Sequence, residues 1–146
     1  MARKQPLTNQ EFKDIYSKVP RLTVEIVLFT DQGVLLTKRK QDGWIDQWHL
    51  PGGTVLYKEP LRQAIERIGK EELSIFVEAT ELLGYIEYAS EEQERGFGWS
   101  VGIAFLCQTK QDIPSQSNQG EDVQLFKKLP TKMVQEQKLL LQQLLS

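Results

Sequence analysis

The chain has 146 residues, of which 40% are hydrophobic and 26% are charged, so it holds enough apolar material for one globular domain. The formal net charge of −2 disfavours a nucleic-acid backbone as the main partner, because such sites need clustered positive charge. No run approaches the ~18 apolar residues of a membrane span, and the opening MARKQPLTNQ lacks the apolar core of a secretory signal. We therefore expect a single domain over residues 1–146, located in the cytoplasm, with no membrane partner and no nucleic-acid partner.

The first third of the chain predicts a helix followed by a β-hairpin. Thr8 and Glu11 have capping-box spacing, apolar residues then recur at helical intervals to Val19, and Pro20 marks the end of the helix. RLTVEIVLFT is rich in β-branched and aromatic residues, DQG turns the chain and VLLTKRK returns it, which is typical of a hairpin. QDGWIDQ then predicts a loop, and WHL predicts a short strand.

The rest of the chain alternates helices and strands. From Pro60 to Leu73 the apolar residues form one helical face. Two strands are expected in SIFVEATELLGYIEYAS and WSVGIAFLCQT, joined by a charged loop, EEQERGFG, and Cys107 in the second should be a buried core residue. A polar loop over residues 110–122 leads to a strand in VQLFKKL and to a last helix with Thr131 as its N-cap. This order predicts a mixed α/β sheet layered by helices.

Charged residues cluster around the predicted middle helix. Glu59, Glu71 and Glu72 flank it, and Arg67 shares a face with Glu71 because the two are four residues apart. Carboxylates near a glycine-rich turn can hold Mg²⁺, which needs only one or two of them when substrate phosphates and waters complete its shell. The PGG turn could bring a backbone carbonyl to the same metal. On charge alone, however, a solvated helix face beside an ordinary turn is the simpler interpretation.

The order and spacing of these residues favour the metal site, because they resemble the Nudix box, G-x5-E-x7-R-E-U-x-E-E-x-G-U, with U a large aliphatic residue. The matching positions are Gly53, Glu59, Arg67, Glu71 and Glu72. WHLPGGTV also resembles the segment that usually precedes the box in this family. The resemblance implies the Nudix fold, an α/β/α sandwich with a mixed β-sheet, and a hydrolase that uses Mg²⁺ or Mn²⁺. Three positions depart from the box, since Ile68, Gly69 and Ser74 replace its first paired glutamate, an aliphatic residue and the late glycine.

One branch of the family, the GDP-mannose mannosyl hydrolases, relaxes the box in a similar way and resembles this chain over VPRLTVEIVLFTDQGVLLTKR. That resemblance implies a substrate in which a nucleoside diphosphate is linked to another moiety, here a nucleotide sugar, with water attacking the anomeric carbon. It also implies a possible homodimer. The residues that it assigns are the Gly52 carbonyl, Glu71 and Glu72 for the metal, Arg39 and Arg67 for the diphosphate, and Glu25 for the substrate.

The general base is the open position in this assignment. The mannosyl hydrolases use a histidine in the late loop, where this chain has SNQGEDVQLF. A carboxylate can take the role if it reaches the attacking water, so Glu121 is the candidate, with Asp122 beside it. The alternatives are the acids of EEQERGFG, which are Glu91, Glu92 and Glu94. The single histidine, His49, is interpreted as a strand-end or packing residue. Trp48 should pack on the sheet, whereas Trp44 could equally pack or stack on a base or sugar.

Two rival functions stay open from the sequence. An ordinary Nudix hydrolase would cleave at phosphorus, and a non-catalytic Nudix domain would bind nucleotides without turnover. Ile68 and the lack of a late-loop histidine favour the second rival somewhat. Gly69 predicts a close contact or a bend, because a glycine inside a helix costs about 1 kcal/mol relative to alanine.

Overall fold

Four helices and seven strands make up residues 5–145, the part of the chain that the computed structural model describes. In chain order they are α1 (Asn9–Tyr16), β1 (Arg21–Thr30), β2 (Gly33–Lys38), β3 (Trp48–His49), β4 (Gly52–Thr54), α2 (Leu61–Leu73), β5 (Glu78–Glu87), α3 (Glu91–Arg95), β6 (Ser100–Gln108), β7 (Val123–Phe126) and α4 (Gln135–Leu145). The described residues leave out 1–4 and 146, which are the two ends of the expected domain. Residues 1–4 also belong to MARKQPLTNQ, the segment that was considered as a secretory signal.

The strands form one mixed sheet with helices on both faces. Its central path runs β3-β2-β1-β6-β5, with β4 paired to β1 and β7 paired to β2. Strands β1 and β6 are parallel, and the other strand pairs are antiparallel. Successive side chains of β1 point to opposite faces, so Val24 and Ile26 join the core under α2, whereas Val27 joins the core under α4. The expected α/β/α sandwich with a mixed β-sheet is confirmed.

The capping signal at the N-terminus is confirmed by the structure, although α1 ends at Tyr16, earlier than the expected end at Val19 and Pro20. Glu11 N donates to Thr8 Oγ1 over 3.1 Å and Thr8 N donates to Glu11 Oε1 over 3.0 Å, which together make the capping box that starts α1. The hairpin and the strand at Trp48 form as expected, and the Trp48 ring packs on Phe126 with centroids 4.8 Å apart. Cys107 is buried in the core. Within residues 5–145, no helix is both long enough and apolar enough to cross a membrane.

Two of the expectations about loops were wrong. Gly52–Thr54, interpreted most simply as a turn, forms β4, and Glu25 of β1 pairs with Gly52. EEQERGFG is not only a loop, because Glu91–Arg95 form the single-turn helix α3, which ends where Gly96 takes a left-handed conformation. Both segments line the same cavity.

The start of the last helix was also predicted wrongly. Helix α4 begins at Gln135, and Thr131 is not its N-cap. The reason is that the preceding residues run beside β3: Trp48 N donates to Lys132 O over 2.8 Å, and Val134 N donates to Trp48 O over 3.0 Å. A segment whose backbone is paired in this way cannot also supply the first turn of a helix.

The glycine inside α2 has a packing reason. A Cβ atom placed on Gly69 would lie 2.8 Å from Cγ2 and 3.0 Å from Cβ of Val77. Val77 is fully buried just before β5, so α2 approaches the chain there more closely than any side chain on Gly69 would permit. Of the two explanations expected for this glycine, the close contact is confirmed.

Candidate active site

A cavity lies over the first half of β1, on the face of the sheet away from α2. Arg21, Thr23 and Glu25 alternate along the strand, so their side chains share this face and line the cavity. The β3–β4 segment, the end of α2, helix α3 and the loop before β7 complete its walls. Of the residues that the sequence pointed to, this cavity brings together Glu25, Arg39, Gly52, Glu72 and Glu121.

Glu25 occupies a slot that its neighbours keep open. Its Oε1 accepts hydrogen bonds from Thr23 Oγ1 and Tyr88 OH, both at 2.8 Å. Gly52 in β4 and Gly102 in β6 flank it, and a Cβ on either glycine would overlap the carboxylate. Burial raises the pKa of Glu25 to about 7, since the two hydrogen bonds and the charges of nearby arginines offset it only in part. The two hydrogen bonds and the two glycines thus hold the Glu25 carboxyl in one position at the cavity.

Two further carboxylates gather at the β4 side of the cavity. Burial raises the pKa of Glu72 to about 7, and the negative charges of Glu121 and Glu71 add to the shift against the charge of Arg39. The loop that carries Glu121 reaches this place because it is tied to the end of α2, where Asn118 N donates to Glu72 O over 2.7 Å. Like charges brought together under partial burial favour the binding of a cation.

This donor set fits a divalent cation that the substrate helps to hold. Within residues 5–145, no three His, Cys, Asp or Glu side chains converge as a complete metal site. Glu72, Glu121 and the backbone of Gly52 nevertheless offer oxygen donors in one cavity. Mg²⁺ accepts one or two carboxylates when waters and substrate phosphates fill its remaining positions. The residues present therefore suit Mg²⁺ or Mn²⁺, and they suit it best with a phosphorylated ligand.

His49 lines the cavity and contacts Glu121, which its sequence position did not reveal. It ends β3 as expected, but its Nε2 lies 2.8 Å from Thr37 Oγ1 and 3.4 Å from Glu121 Oε1, inside the cavity. Burial lowers the pKa of His49. Burial acts against ionisation of Glu121, but the hydrogen bond with His49 and the charge of Arg39 outweigh it, so the pKa of Glu121 is lowered. The only hint in the sequence was the position of His49 directly before PGG.

Arg67 and Glu71 lie outside the cavity lining. Arg67 makes four hydrogen bonds: Nε and Nη2 donate to the two carboxylate oxygens of Glu59 at 2.7 and 3.0 Å, Nη2 also donates to Thr54 O, and Nη1 donates to Glu71. A guanidinium has five N–H donors, so little of this one is left for a ligand. The side chain of Glu71 is 47% exposed and takes its bond from Arg67. The structure thus gives Arg67 contacts within the fold, between α2 and β4.

A second group of charged residues in the cavity was missed by sequence reasoning. Arg21 donates to Ser100 Oγ at 3.1 Å, to Thr54 Oγ1 at 2.8 Å and to Glu91 Oε2 at 3.4 Å. Arg95 Nη1 lies 3.7 Å from the same Glu91 oxygen. The spacing of Glu91 and Arg95, four residues apart in EEQER, would have indicated a short helix with an ion pair. Glu91 was considered only as one of several possible general bases.

Trp44 and Ile68 both belong to the core. Trp44 is 7% exposed, its Nε1 donates to Ser90 Oγ at 2.9 Å, and the Arg39 guanidinium lies over its ring at 5.2 Å. Of the two uses expected for Trp44, the structure shows packing. Ile68 is buried in the cluster under α2, so the position of the missing box glutamate is filled by a core side chain. Arg39 also orders the loop after β2, because its Nε donates to Gly43 O at 2.8 Å.

Comparison with known proteins identifies the family. The family model for the NUDIX domain matches residues 19–144, so the chain belongs to the Nudix hydrolase family. Nudix hydrolases act on nucleoside diphosphate derivatives and generally use divalent metal ions. The chain is 34% identical over 82 residues to the low-salt glycan biosynthesis protein Agl8 of Haloferax volcanii, covering 56% of this chain and 53% of that protein.

Another curated relative is an uncharacterized Nudix hydrolase, lin0387, of Listeria innocua, which is 34% identical over 74 residues, 48% of this chain and 44% of that protein. The chain therefore spans about half the length of these curated relatives. Among solved structures it is similar to a MutT NUDIX hydrolase from Burkholderia pseudomallei, with a TM-score of 0.68, 24% identity and coverage of 86% and 98% of the two chains. A MutT protein from Methanosarcina mazei gives a TM-score of 0.67 at 18% identity, covering 88% and 99%. At these identities the structures support the fold alone.

Proposed function

We propose that this chain is a Mg²⁺- or Mn²⁺-dependent hydrolase of nucleotide sugars, in which water attacks the anomeric carbon and the nucleoside diphosphate leaves. The observation that carries the proposal is the meeting of Glu72, Glu121 and Gly52 with Arg39 in one cavity. Oxygen donors for a hard cation and a guanidinium for a diphosphate are what this reaction requires side by side. The resemblance of the chain to the mannosyl hydrolases and to Agl8, whose name places it in glycan biosynthesis, supports a sugar-bearing substrate.

In this proposal Glu72 and the Gly52 carbonyl hold the cation, and Glu71 adds negative charge next to them. The cation, when bound, neutralises charge that builds up on the leaving diphosphate. Arg39 contributes a positive charge to the same diphosphate, and its guanidinium is fixed by backbone carbonyls. Arg67 acts as a positioning residue, because its bonds to Glu59 and the Thr54 carbonyl hold β4, and with it Gly52, against α2.

Glu121 is the proposed general base. Its lowered pKa keeps the carboxylate ionised at neutral pH, so it can accept a proton from the attacking water. His49 and the backbone bond from Ser117 N to Glu121 O fix the position of the carboxylate in the cavity. Glu121→Gln should lower kcat by about a hundredfold with little change in KM. Glu92→Gln is the control, since Glu92 is an exposed acid of α3, and an equal loss there would reject Glu121 as the base.

Ile68 favours attack at carbon over attack at phosphorus. In ordinary Nudix pyrophosphohydrolases the glutamate at this position often helps to bind metal or to activate the water. Here the position is occupied by Ile68, which belongs to the core. Its side chain packs against Gly53, because a Cβ atom placed on that glycine would lie 3.3 Å from Ile68 Cδ1. The chain thus lacks one carboxylate of the phosphorus-attacking arrangement, whereas the base for attack at carbon is supplied by Glu121 in this proposal.

Metal-dependent turnover across a nucleotide panel tests the proposal. GDP-mannose, UDP-glucose and ADP-ribose would each be incubated with Mg²⁺, with Mn²⁺ and with EDTA, and products separated by ion-exchange chromatography. We expect hydrolysis of a nucleotide sugar that needs the metal. If no compound is hydrolysed but nucleotides raise the melting temperature, the chain is a binding domain and the proposal is wrong.

A further inference from the structure

We infer that Arg21, Glu91 and Arg95, the arginine–glutamate cluster, form the subsite that binds the hydroxyl groups of the sugar. The inference rests on the proposed function, because it assigns one part of that substrate to one part of the cavity. All three residues line the cavity, and none of them belongs to the Nudix box.

The unusual member of the cluster is Glu91. Its side chain is 1% exposed, and its Oε2 interacts with both arginines at 3.4 and 3.7 Å. Its Oε1 is buried and has no hydrogen-bond partner among the residues that the structure describes. Leaving a buried carboxylate oxygen unsatisfied is costly, and such atoms are rare in native proteins. An O–H or N–H donor on a ligand in the cavity would satisfy this oxygen.

The two arginines supply donors that complement this acceptor. Arg95 Nε donates to Asp42 O at 3.5 Å, and within residues 5–145 the other polar contact of this side chain is the long one to Glu91, so several of its five N–H groups are available. Its guanidinium lies against the rings of Phe12 and Phe97, at 5.6 Å from each centroid. The cluster is therefore rigid, and it presents one acceptor beside several donors.

A sugar matches this pattern because every hydroxyl group can donate one hydrogen bond and accept others. Neighbouring hydroxyls could donate to Glu91 Oε1 and accept from Arg95 at the same time. Charge-assisted hydrogen bonds of this kind are about twice as strong as neutral ones. An inorganic anion would satisfy the arginines but would repel the free carboxylate oxygen.

A nucleobase fits this part of the cavity less well, since a base needs a free aromatic or apolar face on which to stack. Of the aromatic side chains that line the cavity, Trp44 is covered by Arg39 on its ring face and meets Tyr88 edge-on at 6.0 Å. Along β1, Arg21 lies opposite Ser100 and Glu25 lies opposite Gly52. These positions are four residues, or roughly 13 Å, apart along the strand, so the cluster lies away from the Gly52 end of the cavity, where the cation would bind.

Calorimetric titration tests the subsite by separating the sugar from the rest of the ligand. GDP-mannose and UDP-glucose would be titrated in Mg²⁺, each against its sugar-free counterpart, GDP or UDP, with Glu121→Gln in every protein to slow turnover. Glu91→Gln should weaken binding of the nucleotide sugar by about tenfold or more and leave the nucleoside diphosphate within about twofold. Glu92→Gln, on the exposed side of the same helix, should change neither.

Arg95→Lys is the second variant, because it keeps the charge but removes the planar fork of donors, and it should reproduce the sugar-selective loss. Thermal unfolding of each variant establishes that it folds.

Equal weakening of the binding of sugar-bearing and sugar-free nucleotides, or no weakening of either, would overturn the subsite. Sugar-dependent binding without any hydrolysis by the unmodified chain would sustain the subsite and overturn the proposed reaction. If the unmodified chain hydrolyses a nucleotide sugar but the variants bind sugar-bearing and sugar-free nucleotides equally, the proposed reaction is sustained and the subsite is overturned.

Discussion

Residues 5–145 contain two buried carboxylate–arginine groups that differ in how many of their carboxylate oxygens are hydrogen-bonded. In the closed pair, Glu59 and Arg67, both oxygens of a carboxylate that is 2% exposed accept hydrogen bonds from the guanidinium. In the arginine–glutamate cluster, a carboxylate that is 1% exposed uses only Oε2, at 3.4 and 3.7 Å, and leaves Oε1 without a partner among residues 5–145. The closed pair lies outside the cavity, and the cluster lines it.

This difference separates a residue's role in the fold from its role in binding. The closed pair joins α2 to the turn before it and to the carbonyl of Thr54, so its bonds are already made in the free protein. The cluster keeps an acceptor and several donors for a ligand. The spacing of the Nudix box drew attention to Arg67, yet the arginines that line the cavity are Arg21, Arg39 and Arg95.

If the closed pair holds the fold, removing Arg67 should have the largest effect on stability. Arg67→Met should lower the free energy of unfolding by about 3 to 5 kcal/mol, because it removes the positive charge that balances the buried Glu59 carboxylate. Urea unfolding followed by circular dichroism measures the loss. Lys70→Met, exposed on the same helix, should stay within about 0.5 kcal/mol of the unmodified chain. A loss below about 1 kcal/mol for Arg67→Met would contradict the role assigned to the pair.

The cavity should respond in turnover rather than in stability. Glu72→Gln should reduce kcat/KM with Mg²⁺ by about a hundredfold or more, because even residues that only orient a metal ligand contribute 10- to 100-fold. Its unfolding free energy should not fall, since the variant removes a carboxylate whose pKa is raised by burial. Glu66→Gln, on the same helix and outside the cavity lining, is the matched control. An unchanged rate would remove Glu72 from the metal site.

A pH-dependent measurement sharpens the contrast for a third buried carboxyl, Glu25. Its pKa is raised from 4.5 to about 7 in the folded chain, so its contribution to stability is present below pH 4.5 and is lost as the pH rises through 7. Glu25→Gln removes this dependence. The stability of the variant relative to the unmodified chain should therefore rise by about 2.5 kcal/mol between pH 5 and pH 8.5, measured by urea unfolding in EDTA. If the stability difference between the variant and the unmodified chain stays constant with pH, the fold does not raise the pKa of Glu25.

The smallest effect is expected for the stability of Glu91→Gln. Because Glu91→Gln removes a buried charge whose Oε1 has no partner among residues 5–145 and whose Oε2 makes only long contacts, it should cost about 1 kcal/mol, well below the loss for Arg67→Met. The same urea titration measures both variants side by side. Equal losses would mean that the cluster, like the closed pair, is a structural ion pair.

The sequence could predict those parts of the molecule whose signals are local. The capping box at Thr8 and Glu11, the alternation along β1 and the apolar face of α2 depend on neighbours within a few residues, and the structure has each of them. The spacing from Gly53 to Glu72 identified the family in the same way. Alternation along β1 also implies that Arg21 and Glu25 share a face, although only Glu25 was singled out.

The parts that could not be predicted depend on residues far apart in the chain. Glu91 meets Arg21 across 70 residues, and His49 meets Glu121 across 72. Such contacts follow from how the sheet is ordered and where loops are tied down, which no local pattern contains. Gly69 is a related case, because the helical pattern shows that the glycine is unfavourable, and only the position of Val77 explains it.

The central claim is that water attacks the sugar carbon of a nucleotide sugar in this cavity, and hydrolysis in ¹⁸O-labelled water tests it most directly. The substrate found in the panel would be hydrolysed with Mg²⁺ in labelled water, and the products analysed by mass spectrometry. We predict that the label appears in the released sugar and that the nucleoside diphosphate stays unlabelled. Label in a phosphate group would show attack at phosphorus and would contradict the account.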